Sequence, residues 1–169
     1  MTLSSPTPVS PVKVIPNDSA AALIEQLGLE AHPEGGWFRE TWRAPVDASG
    51  RSAGTAILFM LKTDESSHWH RVDADEMWLW QGGDPLDLLI AKEDSGPVEK
   101  LRLGPLTTCG TAALQGLVPK GAWQAARPVV IPQGGAGYTL VSCVVVPGFE
   151  FSGFELASPG WEPNEVHSA

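Results

Sequence analysis

Basic residues are scarce in this chain. Its 11 lysines and arginines stand against 20 aspartates and glutamates, a formal net charge of -9. No cluster of positive side chains is available to neutralise a polyanion, which excludes a surface that tracks nucleic-acid phosphates. Cysteine is nearly absent too. Cys109 and Cys143 lie in unlike contexts without CxxC spacing, so neither a zinc knuckle nor a disulfide framework is expected, and both read as buried free thiols. No apolar run approaches the roughly 18 residues that a membrane-spanning helix requires. The start of the chain lacks a basic stretch followed by an apolar one, and a cytoplasmic location is expected. Tyrosine occurs once, as Tyr138.

Glycine and proline are abundant, 18 and 15 residues, which points to many short elements joined by turns rather than to a helical bundle. Residues 1–16, rich in Pro and Ser, read as a flexible tail, as do residues 158–169, which include His167. Residues 17–157 are left as a single domain. A short helix is predicted between Asn17 and Gly28, with Asp18 or Ser19 as cap, Leu23, Ile24 and Leu27 as its apolar stripe, and Gly28 as its stop. Strand-like runs follow at Trp37–Trp42, Thr55–Leu61, Glu76–Trp80, Leu86–Ile90, Val98–Leu103, Gly116–Val118 and Tyr138–Val146. Breaks such as Gly82-Gly83-Asp84-Pro85 and Glu93-Asp94-Ser95-Gly96 carry turn chemistry. The class is all-β, a sandwich or barrel with one short N-terminal helix.

Ser67-His68-Trp69-His70 places two imidazoles at i and i+2. On a regular strand they share a face, with Trp69 on the other, and two nitrogens converge on one point. Asp75 and Glu76 then open the next strand. Alternation allows only one of them to share the histidine face, and the sequence leaves both open. A Pro-x-Gly turn at Pro119 to Gly121 delivers Gln124 onto a further strand.

This order of HxH, acidic residue, Pro-x-Gly and polar donor resembles the paired motifs of the cupin superfamily. His32-Pro33-Glu34-Gly35-Gly36-Trp37-Phe38-Arg39-Glu40-Thr41, Ser67 to Arg71, Asp75 to Trp78, Val118 to Gln124 and Pro147 to Phe151 resemble the signature segments of one cupin family of unknown function, DUF985. The resemblance implies a double-stranded β-helix, or jelly-roll, barrel and commonly a homodimer. It also implies that His68, His70, Asp75 or Glu76, and Gln124 hold a divalent ion in the barrel. Gln124 stands where many metal-binding cupins carry a third histidine. Mixed nitrogen and oxygen ligation suits Fe, Mn, Ni or Zn.

The expected function is a metal-binding enzyme acting on a small polar metabolite, a sugar derivative or organic acid, by isomerisation, decarboxylation or oxygenation. Glu76 and His70 are the groups expected to move protons. Glu34, Arg39, Trp78 and Tyr138 are candidates for ligand contact, Arg39 as an anion site. Two other readings stand beside it. One is a non-catalytic small-molecule-binding protein. The other is a metal-free epimerase or isomerase with a histidine base, for which Tyr138 would be the acid. The strand-like segment from Pro147 to Leu156 is expected to close the barrel or pair across a dimer.

Overall fold

The structure, a computed structural model, describes residues 19–46, 48, 50–106 and 112–163. The expectations for residues 1–16, Cys109 and His167 lie outside the described residues. The helix α1 spans Ala20–Leu27. Ser19 Oγ accepts the Ala22 N–H at its start, and Gly28, at φ 62°, turns the chain out of it. Only a residue without Cβ takes that left-handed conformation cheaply.

Eleven strands follow among the described residues: β1 (Glu30–Ala31), β2 (Trp37–Arg43), β3 (Thr55–Lys62), β4 (Ser67–Val72), β5 (Asp75–Gly83) and β6 (Leu86–Ala91), then β7 (Val98–Leu103), β8 (Gln115–Val118), β9 (Trp123–Pro128), β10 (Tyr138–Val146) and β11 (Phe154–Leu156). They form two antiparallel sheets, ordered β1-β2-β3-β10-β5-β8 and β11-β4-β9-β6-β7. The inner faces meet in a core built around Phe59, Leu61, Trp78, Leu86, Leu88, Leu103 and Val141. This is the jelly-roll barrel anticipated from the sequence.

Two irregularities decide what enters the barrel. On β4, Ser67 pairs with Ala126 and His70 with Gln124, so three steps on β4 oppose two on β9. On β2, Glu40 pairs with Ile57 and Trp42 with Ala56, leaving Thr41 as the extra residue. Each β-bulge resets the alternation of faces.

The end of the chain differs from expectation in two ways. Pro147 to Leu156 is not one strand: a short 3-10 turn at Phe151–Gly153 leads into β11, which pairs with the edge of β4. Residues 158–163 do not leave the domain as a tail. Ala157 N–H bonds to the Trp69 carbonyl at 2.9 Å, and Trp161 packs on Trp123 at 4.4 Å between ring centroids. Together with Trp69, Ala91 and Ala125 they form an apolar cluster on the outer face of the five-stranded sheet.

Candidate functional site

The bulge on β4 separates the two histidines. His70 projects inward, 2 % exposed, three residues after the equally inward Ser67. His68 is exposed and borders a groove on the outer side beside Ser66, Trp69 and Trp161. The shared face expected of His68 and His70 therefore does not form, because period-two alternation holds only in an unbroken strand.

Glu34 takes the place that His68 leaves. It sits in the turn between β1 and β2, where Gly35 has φ 106° and a Cβ at that position would run into the Ser66 carbonyl. The close approach lets the Glu34 carbonyl accept the His68 N–H at 2.8 Å and carries the Glu34 side chain inside. Glu34 Oε1 accepts the Ser67 hydroxyl at 2.9 Å. Its Oε2 lies 3.2 Å from His70 Nε2 and 3.4 Å from His32 Nδ1.

Hydrogen-bond partners assign the protons. His70 Nδ1 is 2.7 Å from the His68 carbonyl, which can only accept, so Nδ1 carries the hydrogen and Nε2 offers a lone pair to Glu34. His32 Nδ1 accepts the Glu34 N–H at 3.3 Å, which leaves Nε2 as its protonated nitrogen. Burial raises the Glu34 pKa to about 8, against the lowering effect of the Ser67 hydrogen bond. Burial also lowers both histidines, His32 to about 4 with help from neighbouring His70. At neutral pH one proton is thus held on Glu34 and aimed at His70 Nε2.

On the other sheet Glu76 faces inward, 7 % exposed, while Asp75 is exposed and accepts the Lys120 backbone N–H at 2.8 Å. The choice between the two carboxylates falls on Glu76. Gln124 is fully buried: its Oε1 accepts the Trp78 indole N–H at 2.8 Å, and its Nε2 donates to Glu76 Oε2 at 2.6 Å. Burial raises the Glu76 pKa, which neighbouring His70 lowers and Glu34 raises. The Cys143 thiol hydrogen-bonds Glu76, and burial pushes its own pKa up.

These groups border a cavity of about 300 Å³. Glu34, His70, Glu76 and Cys143 form its polar floor. Its walls are apolar and include Phe38, Ile57, Phe59, Val145, Phe149 and Phe151. At its rim, Arg43 grips Glu40 through Nε and Nη2, at 3.0 and 2.7 Å, and donates to the Phe149 carbonyl.

Three expected ligand contacts lie elsewhere. Arg39 alternates with Phe38 and Glu40, which line the cavity, and so points outward to lie beside Gly28. Arg43 takes the rim because the Thr41 bulge turns it inward. Trp78 is core, meeting the site's lining through its hydrogen bond to Gln124 and an edge contact with Phe59. Tyr138 begins β10, five residues before Cys143, and at about 3.4 Å per residue lies roughly 17 Å away along the strand. Cys143 and Arg43 did not figure among the expected site residues; Cys143 was expected only as a buried free thiol, and nothing in composition marks the bulge that turns Arg43.

The donor set does not fit the expected metal. His68 is outside. The indole N–H of Trp78 can only donate, so the oxygen of Gln124 is committed to it and Gln124 presents an NH₂ group to the floor. Among the described residues no group of three His, Cys, Asp or Glu side chains is placed to hold an ion.

Comparison with known proteins places the chain in a family. A family model described as Cupin superfamily (DUF985) matches residues 21–157. A Shewanella oneidensis protein solved by X-ray crystallography is 37% identical, with 83% of this chain and 85% of that one covered and a TM-score of 0.72. A hypothetical protein from Leishmania major is 34% identical, with 85% and 90% covered and a TM-score of 0.73. An oxalate decarboxylase variant from Bacillus subtilis shares the fold at 14% identity and a TM-score of 0.52; 73% of this chain is covered, and 28% of that chain. No curated protein matches the chain significantly. No helix among the described residues is long and apolar enough to cross a membrane. With four-fifths of its length matched, the chain belongs to the DUF985 family of the cupin superfamily.

Proposed function

We propose that this cupin binds a small molecule in its barrel and catalyses a proton shift on it, with Glu34 and His70 as the acid–base pair. The observation that carries the reading is the 3.2 Å approach of Glu34 Oε2 to His70 Nε2 at the floor of the cavity. A carboxyl group near pKa 8 holds and releases its proton at physiological pH, as an efficient general acid must. In this scheme Glu34 gives its proton to a basic atom of the ligand, and the Ser67 hydroxyl steadies the carboxylate left behind. A proton from a neighbouring ligand carbon returns to His70 Nε2 and then to Glu34. The ligand is isomerised, and neither an oxidant nor a second substrate is consumed.

This is the metal-free isomerase reading with Glu34 in the acid role once expected of Tyr138. The metal-dependent version needs Fe, Mn, Ni or Zn on a ligand set from which His68 and the Gln124 oxygen are missing. A non-catalytic binding protein is the second reading. It is favoured by the pairing of the floor groups with one another, which lets them orient a ligand without reacting. Assembly as a homodimer and a cytoplasmic location belong to the proposal; light scattering and fractionation test them.

The test is deuterium incorporation. Small carbonyl compounds with an apolar body are incubated with metal-depleted protein in D₂O and followed by proton NMR. Exchange at carbon is expected without added metal, and Glu34→Gln is expected to slow it by about 10²-fold or more. Ligands that bind without exchanging would favour the binding protein. Exchange that appears only on adding a divalent ion would overturn the metal-free scheme.

A further inference from the structure

The ionisable groups at the cavity border are mainly acids. Glu34, Glu40, Glu76 and Glu150 line it against a single guanidinium, Arg43. That guanidinium is already committed, forked onto Glu40 and donating to the Phe149 carbonyl. A ligand carboxylate reaching the floor would meet no cation, and the Glu34 proton that could serve it is directed at His70. A sugar would fare little better, since most of its hydroxyls would face phenyl and aliphatic walls that offer no hydrogen bond.

The same surroundings suit positive charge. Phe38, Phe59, Phe149 and Phe151 line it with aromatic rings, a residue type whose face attracts a cation. Glu76 is held in orientation by Gln124 and indirectly by Trp78, a buried chain of two hydrogen bonds. It is therefore a fixed acid rather than a mobile surface one: burial disfavours its ionised form, and an ammonium group seated beside it favours that form and makes it the counter-charge. The net charge of -9 also draws cations toward the protein. At about 30 Å³ for each atom-sized group, as in liquid water, 300 Å³ holds roughly ten non-hydrogen atoms.

We infer that the barrel takes a small organic cation, a protonated amine on an apolar body of about ten non-hydrogen atoms, with Glu76 as its counter-charge. This rests on the cavity being the ligand site, and leaves Glu34 and His70 for proton transfer.

Three probes of matched shape separate charge from fit: 2-phenylethylamine, 2-phenylethanol and phenylacetate, titrated calorimetrically into the full chain at one pH. The amine is expected to bind at least tenfold more tightly than the alcohol, and phenylacetate more weakly than either. Glu76→Gln is expected to bring amine and alcohol affinities to within about threefold of each other. Equal binding of amine and alcohol to the unaltered protein would overturn the charge assignment and leave the cavity as the ligand site. Tighter binding of phenylacetate would overturn it as well. If none of the three binds, both the amine and the apolar-body reading fall. Amine binding without deuterium exchange in any carbonyl compound would sustain this inference and remove the proton-shift scheme. Should Glu76→Gln fail to fold, the ratio of amine to alcohol affinity in the unaltered protein still decides.

Discussion

Glu34 is a carboxyl group buried where water cannot stabilise its charge, and that has a consequence for the folded state. Its pKa rises from 4.5 to about 8, so the folded chain holds this proton more tightly than the unfolded chain does. The stabilisation is complete below about pH 4.5 and is lost as pH climbs through 8. His32 acts in the opposite direction: depressed from 6.5 to about 4, it stabilises above 6.5 and loses that contribution as pH falls toward 4. Between pH 6.5 and 8 the histidine contribution is constant and the slope belongs to the buried acids. Glu76, also raised, adds to it with the same sign. One proton over 1.5 pH units corresponds to about 2 kcal/mol at roughly 1.4 kcal/mol per unit. Urea unfolding at pH 6.5 and pH 8 should show stability falling by at least about this much, and Glu34→Gln should remove Glu34's share of the fall and leave that of Glu76. A flat or rising profile in the unaltered protein would mean that Glu34 is already ionised.

At the scale of the strand, the sequence was legible where the pleat is regular. Val98–Leu103 and Tyr138–Val146 have the bounds expected, and Glu76 and Trp78, two residues apart on one pleat, are both buried. It failed at β4 and β2, where one inserted residue exchanges the faces of everything beyond it. No residue type announces a bulge between Ser67 and His70 or at Thr41, where the inward partners of Ser67 and Glu40 fall at i+3 rather than i+2. The HPEGG turn was visible as a motif, but that it displaces a histidine from the site depends on long-range packing of Gly35 against Ser66. Replacing the two histidines separately tests the bulge. His68→Ala, at an exposed position, should change stability by less than about 0.5 kcal/mol and leave amine affinity intact. His70→Ala removes the partner of a buried carboxyl and should cost about 1–3 kcal/mol. Thermal melts and the same calorimetric titration read both; equal effects of the two variants would restore the regular strand.

For the molecule as a whole, the extent of the folded unit is set by the cover over the outer face of the five-stranded sheet. Trp69, Trp123, Ala91 and Ala125 project away from the cavity, and without a cover they would leave an apolar surface in water. Composition alone ends the domain at Ala157, because Pro, Ser and Glu dominate residues 158–169; a single indole among them outweighs that signal. Trp161 lies on Trp123 at 4.4 Å, and its backbone N–H bonds back to the Ser158 carbonyl at 3.0 Å, closing the turn that presents it. Burying roughly half of an indole, on the order of 100 Å², contributes about 2–3 kcal/mol at roughly 25 cal/mol per Å². A chain ending at Ala157 should therefore melt lower by about 4–12 °C, at roughly 2–4 °C per kcal/mol for a protein of this size. Trp161→Ala in the full chain should reproduce most of that loss, since the indole rather than the length of the tail provides the cover. Amine affinity should survive both changes, because the cavity is on the opposite face of β4 and β9. Unchanged melting in both variants would return residues 158–163 to the status of a tail and place the domain boundary at Ala157.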